Sequence, residues 1–208
     1  MLRRGDKGFT LVELLVAISI IGIITVPLSN VVIGFLHNSD ATSARLSESH
    51  DAQIASSYWA QDVASIGTRA TTSPYALKQS IEVGAAYDGG LYPCGASGTP
   101  AAVVRVAWDD YSSASSTARI VRVAYVVETV SGETQLHRIR CNGSSTPVSD
   151  IVLAHDLDAG TPPTVTCSTT CTAAPAVPAT ATLNLTIHDP KSNGSAYTVT
   201  LTGQRRQT

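Results

Sequence analysis

"GDKGFTLVELLVAISIIGIITVPLSN", Gly5–Asn30, opens with charge and turns oily, yet it carries one acid, Glu13, into the head of the oily run. From Leu14 to Leu36 there are 23 residues without a charge. At about 1.5 Å per residue they make a helix of roughly 35 Å, and a hydrocarbon core is only about 30 Å thick. Arg3, Arg4 and Lys7 precede the run, while His37, Asp40 and Arg45 follow it. Basic flanks stay in the cytoplasm. The predicted topology is therefore a short N-terminus inside and everything after about residue 37 outside. A cleaved secretory signal shares the basic start, but its apolar core is about 7–15 residues long. Here the core is longer, and the sequence from His37 to Trp59 continues without a turn signal.

Glu13 needs an explanation, because a carboxylate in hydrocarbon is expensive without a partner. Lys7, the nearest base upstream, has the wrong helical spacing, since partners stand three or four residues apart. A cut between Gly8 and Phe9 would create an α-amino group on Phe9, one turn before Glu13. That cation can neutralise Glu13 of its own chain or of a neighbouring chain. In the second case it fixes the depth of two oily helices, because a slipped register leaves a charge unpaired. Gly8 has no side chain and lets a peptidase approach its backbone closely. A Glu13 that snorkels at the headgroups is the simpler alternative.

"KGFTLVELLVAISIIGII", Lys7–Ile24, resembles the cleavage and methylation segment of type IV prepilins and type II secretion pseudopilins. The resemblance covers residues 1–30. It implies that prepilin peptidase cuts after Gly8 and methylates the new terminus at Phe9. It also implies that Glu13 serves methylation and subunit assembly. The implied partners are the peptidase, other pilin-like subunits in a helical filament, and an inner-membrane assembly platform. The implied location is a single-pass inner-membrane protein that assembles into a cell-surface or periplasmic filament. Type II secretion, DNA uptake and an adhesive or retractile pilus all remain open.

The expected organisation is a leader at 1–8, a transmembrane and assembly helix at 9–36, an outer helix and linker at 37–73, and an exported β-rich domain at 74–208. Pro27 lacks a helical donor and favours a kink. Ser19, Thr25, Ser29 and Asn30 are mild polar interruptions of the apolar run, and simple tolerance is the preferred reading of Ser19. Ile54, Tyr58, Trp59, Val63 and Ile66 recur at helical spacing. They extend the helix to about Ile66 and give it an apolar face, with Asp40, Glu48, Asp51 and Asp62 read as its wet side. Gly67 and Pro74 end it.

Beyond Pro74 the period becomes two. Ala101–Trp108 reads as a strand, Ala118–Glu128 and Thr134–Cys141 as a hairpin about Ser131–Glu133, and Asp150–Leu157 as a short strand. Ala181–Asp189 and Ala196–Arg206 read as a second hairpin, its turn at 190–195. Residues 78–100 are left as loops with one short strand. Residues 159–180 read as a Pro- and Thr-rich surface loop or spur. The expected fold is α+β: a long N-terminal helix, half anchor and half spine, packed on an antiparallel sheet domain, pilin-like by the resemblance.

Cys94, Cys141, Cys167 and Cys171 all follow the apolar segment, and an even count in an outward-facing domain points to disulfides. Three pairings are possible. Cys94–Cys141 with Cys167–Cys171 is preferred, because only three residues separate the last two. No metal or cofactor is predicted: "CSTTC" lacks a matching pair, His137 and His155 have no ligand spacing, and Asp156 and Asp158 lack a calcium-loop repeat. Asp109–Asp110 are read as strand-end acids. The chain has no G-x-S-x-G, H-E-x-x-H or phosphate loop, so it is read as no enzyme.

The formal charge of −2 and the scattered bases give no reason to expect nucleic-acid binding. Removing residues 1–8 takes away three bases and one acid and shifts that charge to −4. A mature chain of 200 residues with a loop-rich exterior fits a minor subunit better than an abundant one. The alternative is an exported enzyme or binding protein held by an uncleaved signal anchor.

Overall fold

A computed structural model describes residues 8, 10–111, 118–172, 177–189 and 196–206. The contacts divide the chain into two units, residues 1–43 and 44–208. One α-helix, α1 (Leu11–Ser65), contributes to both. The chain is thus α+β, a long N-terminal helix with antiparallel sheets behind it.

In the first unit, α1 is apolar all round. Every large apolar side chain from Leu11 to Leu36 is exposed, so this stretch has no core of its own. A helix of that kind belongs inside a protein or a bilayer. Among the described residues α1 is the one helix long and apolar enough to cross a membrane.

Among the described residues the second unit holds ten strands. The largest sheet has the order β3 (Ile81–Val83), β4 (Ala102–Asp110), β5 (Arg119–Val130), β6 (Glu133–Asn142) and β7 (Pro147–Ala154), all antiparallel. The β5–β6 hairpin pairs Val130 with Glu133, and its turn residues Ser131 and Gly132 have φ of 54° and 88°. A second sheet has the order β10 (Tyr197–Gln204), β9 (Thr180–Ile187), β8 (Thr164–Cys167). A small ribbon, β1 (Thr68–Arg69) with β2 (Leu77–Lys78), follows the helix.

The main core lies among the Ala44–Ser65 part of α1 and both larger sheets. Trp59 and Val63 meet Val104 and Val106 of β4, Val123 and Tyr125 of β5, and Leu183 and Leu185 of β9. Trp59 donates its indole N–H to the Ala181 carbonyl at 3.2 Å and meets the Tyr125 ring edge to face at 5.2 Å. Gly203 of β10 permits close approach, because a Cβ there would come within 2.5 Å of Val63.

The opposite face of the five-stranded sheet is also covered. Ala124 and Val126 of β5 pack with Ala102, Ile139, Cys94 and Cys141 in a second cluster. The β3–β4 connection closes over it. The fully buried Arg105 donates to the carbonyls of Ala85 at 2.7 Å, Gly89 at 2.8 Å and Tyr92 at 3.0 Å, also to that of Ala86, and pairs with Glu82 at 3.3 Å. One buried cation thereby gathers four loop carbonyls, of which those of Ala85 and Ala86 also accept the Ala102 and Gly89 N–H groups. The expected alternation of apolar and polar faces holds on β9 and β10, where Thr182, Asn184, Thr200 and Thr202 pair across the outer face. It does not describe β5, which is buried on both sides.

The structure joins Cys94 to Cys141 and Cys167 to Cys171. Two expectations need correction. The segment read as a loop or spur contains β8, paired with β9 from Thr164↔Asn184 to Cys167↔Ala181. The acids read as the wet side of the helix are mostly buried: Glu48, Asp51 and Asp62 are 3%, 6% and 1% exposed. Asp62 takes a two-armed contact from Arg138, Nε to Oδ2 at 2.7 Å and Nη2 to Oδ1 at 2.6 Å, and accepts the Tyr125 hydroxyl at 2.6 Å. Asp51 accepts the His155 backbone N–H at 2.8 Å, and its Oδ2 lies 3.0 Å from His155 Nδ1. Glu48 pairs with Arg45 at 2.9 Å and accepts the Asp189 N–H at 3.4 Å. A carboxylate avoids the interior only until the fold supplies its donors.

Candidate processing and assembly site

The head of α1 begins with Gly8, which is exposed and non-helical. The other residue of the expected scissile pair, Phe9, and the bases Arg3, Arg4 and Lys7 lie outside the described residues. Thr10 caps the helix: its Oγ1 accepts the Glu13 N–H at 3.3 Å, and its carbonyl accepts the Leu14 N–H at 3.1 Å. An N-cap hydroxyl satisfies a donor that the helix itself leaves unpaired. Glu13 sits in the first turn, where the helix dipole favours negative charge. Its carboxylate makes no hydrogen bond or ion pair among the described residues, so nothing there neutralises it.

The apolar belt bonds its hydroxyls internally. Ser19 Oγ donates to the Leu15 carbonyl at 2.8 Å, Thr25 Oγ1 to Ile21 at 2.7 Å, and Ser29 Oγ to Thr25 at 2.9 Å. Bonds back to residue i−4 remove hydroxyls from the hydrocarbon without a partner chain. Ser19 is therefore bonded like the other two. Pro27 lies inside α1, which continues helical on both sides of it.

The remaining candidates are spent on structure. His137 Nδ1 lies 2.9 Å from Asp150 and its Nε2 lies 3.2 Å from Gln135. Asp109 Oδ2 accepts the Arg69 N–H at 2.7 Å. Asp158 Oδ1 accepts the Gly160 N–H at 3.2 Å. A cleft of about 810 Å³ opens among Tyr75, Leu91, Tyr111, Arg69 and Lys78. No histidine lines it. The hydroxyl of Thr68, which lines it, bonds that of Tyr92 at 2.8 Å and that of the buried Ser80 at 3.0 Å.

Residues 3–29 match the prokaryotic N-terminal methylation motif. This is the type IV prepilin and pseudopilin signature. The prepilin signature covers the leader bases, the Gly8–Phe9 junction, Glu13 and Pro27 together. It implies processing by prepilin peptidase and assembly with other pilin-like subunits. With the exposed apolar helix behind it, it fits a membrane-anchored, processed, pilin- or pseudopilin-like subunit with a structural rather than a catalytic role. No curated protein and no solved structure matches the chain significantly.

The sequence reading missed Thr10 as a cap and the buried acids. The first has a visible signal, since Thr10-x-x-Glu13 is the spacing of a capping box. The second has a weaker one: Ala44, Glu48, Asp51, Ala55, Trp59 and Asp62 recur every three or four residues and so share one helical face.

Proposed function

We propose that this chain is a minor structural subunit of a type IV pilus, a competence pilus or a type II secretion pseudopilus. Prepilin peptidase removes residues 1–8 and methylates Phe9. The α1 segment first anchors the subunit in the inner membrane, N-terminus inside, and then packs among neighbouring helices in the filament. The free α-amino group of Phe9 neutralises Glu13 of its own or an adjacent subunit and sets helix depth. Pro27 loosens the helix at mid-membrane. The assembly platform inserts and withdraws subunits, and the chain itself performs no chemistry.

The observation that carries this reading is an acid without a partner among the described residues, in the first turn of an exposed apolar helix that carries the methylation motif. Such an acid is costly in lipid until a cation meets it, and the cut creates one in reach. Size and the acidic mature charge support the minor role. Gly8→Leu tests the processing step. The variant is expected to accumulate as an uncut, membrane-inserted precursor on immunoblots. A variant that matures normally removes the cleavage assignment.

A further inference from the structure

The β1–β2 ribbon borders the cleft of about 810 Å³, and ligand sites run from about 300 to 1,000 Å³. Three large side chains stand open at this cleft: Tyr75 is 56% exposed, Leu91 58% and Tyr111 66%. Tyr75 also has a φ of 54°. In that left-handed region a bulky residue is an outlier, while glycine sits without steric cost. Such a conformation persists only where the surroundings impose it. Here the Tyr75 N–H donates to the Thr72 carbonyl at 2.8 Å, and the Tyr75 carbonyl accepts Arg69 Nη1 at 3.2 Å. Both are backbone contacts that any residue but proline supplies. The exposed ring gains little by folding, since burial is what stabilises an apolar surface. The fold alone favours glycine at this position, so the ring has its use outside the chain.

The polar groups at the cleft set the kind of ligand. Lys78 is exposed and makes no ion pair among the described residues. Arg69, bonded to the Tyr75 carbonyl, is a second cation, and Asp109, which accepts the Arg69 N–H at 2.7 Å, is an acid. Two bases and one acid leave the cleft positive on a chain whose formal charge is −2. An anionic ligand is drawn to such a place. The ligand must also donate a hydrogen bond to Asp109 and lay an apolar face on a ring. A sugar does both, with C–H groups across its face and hydroxyls at its edge. A polyacidic peptide uses the cations but is repelled by Asp109.

We propose that this cleft binds an oligosaccharide that carries a carboxylate. The Tyr75 ring stacks on a sugar face, Lys78 and Arg69 take the carboxylate, and Asp109 accepts a hydroxyl. The site uses neither Gly8 nor Glu13, so it stands or falls apart from the processing reading.

The test is calorimetric titration of the full-length chain, solubilised in a polyoxyethylene detergent that has no sugar headgroup. The probes are sialyllactose, trigalacturonate and a hyaluronan tetrasaccharide, with lactose and maltotriose as neutral sugars and tetraglutamate as an acidic peptide. At least one carboxylated sugar should bind, and the neutral sugars should bind about ten-fold more weakly or not at all. Lys78→Met should weaken that binding about ten-fold, the loss of one charge-assisted hydrogen bond. Tyr75→Gly should weaken it at least about five-fold yet unfold at or above the wild-type denaturant midpoint, because it relieves the backbone. Tyr75→Phe keeps the ring and should bind within about two-fold of wild type, as a stacking contact requires. No binding by any carboxylated sugar overturns the proposal, and so does tetraglutamate bound as tightly as the best of them. Wild-type binding by Tyr75→Gly also overturns it. Earlier unfolding of Tyr75→Gly would show that the ring serves the fold, which removes the ground of the proposal.

Discussion

At Glu13 the energetics of a single carboxylate separate an anchor from an assembly element. A helix that only spans a bilayer gains nothing from an acid at its head beyond a small dipole contribution. A helix that must stop at a defined depth among others gains a register mark. Glu13→Ala is expected to insert but to be depleted from sheared or secreted filaments; recovery at the wild-type level would show that the acid sets no register. Asp62 plays a different part. It is buried with Arg138 and Tyr125, whose hydroxyl pKa is pushed well up by burial and then by the Asp62 charge. Asp62→Ala leaves the Arg138 guanidinium buried without its partner and should cost about 3–5 kcal/mol of stability, read by denaturant unfolding with Trp59 and Trp108 as the fluorescent probes. The raised Tyr125 pKa has a definite sign. In the unfolded chain the phenol ionises near about pH 10, while in the folded protein it stays neutral to higher pH. Its contribution is complete below the unfolded value and is lost as pH rises from there through the folded value. The alkaline fall in stability should therefore be shallower in Tyr125→Phe. These buried groups were the least legible in the sequence: Asp62 meets Arg138 from 76 residues away, and Asp51 meets His155 from 104. A local reading of an Ala- and Ser-rich helix places such acids in water because it cannot see their donors.

Among the elements, the strongly periodic ones were legible and those defined by their neighbours were not. The α1 pattern runs unbroken until Gly67, and the helix ends at Ser65. The β5–β6 turn was marked by Ser131–Gly132, whose positive φ values suit a tight hairpin. By contrast, β8 is four residues within a Pro- and Thr-rich stretch, and only its pairing with β9 makes it a strand. β5 reads as one-sided by period, yet the Cys94–Cys141 cross-link and the carbonyls gathered by Arg105 bring a loop over its second face. Two tests belong at this scale. Gly203→Ala forces a Cβ into Val63 and should destabilise the β10–α1 contact by about 1–3 kcal/mol, visible as a lower unfolding midpoint. Opening Cys94–Cys141, which spans 47 residues, should cost about 4 kcal/mol on loop-entropy grounds. Opening Cys167–Cys171, which spans 4, should cost about 2 kcal/mol. Equal effects of the two Cys→Ser pairs would reject that ordering.

Across the whole molecule the two units divide the work. Residues 1–43 carry the processing motif and an exposed apolar helix, and residues 44–208 carry every buried cluster. The signature in the first unit was readable from sequence because the motif is one contiguous run of residues. In the second, the two hairpins and the preferred cysteine pairing were readable, but the loops between them were not, since sequence periodicity does not order them. The account turns on one event, the release of an α-amino group at Phe9 where Glu13 can be met. Intact mass and N-terminal fragmentation of the protein isolated from cells measure that event directly. The account predicts a chain that starts at Phe9 and carries a methyl group on its terminal nitrogen. A chain that still starts at Met1, or that starts beyond Leu36, would contradict it.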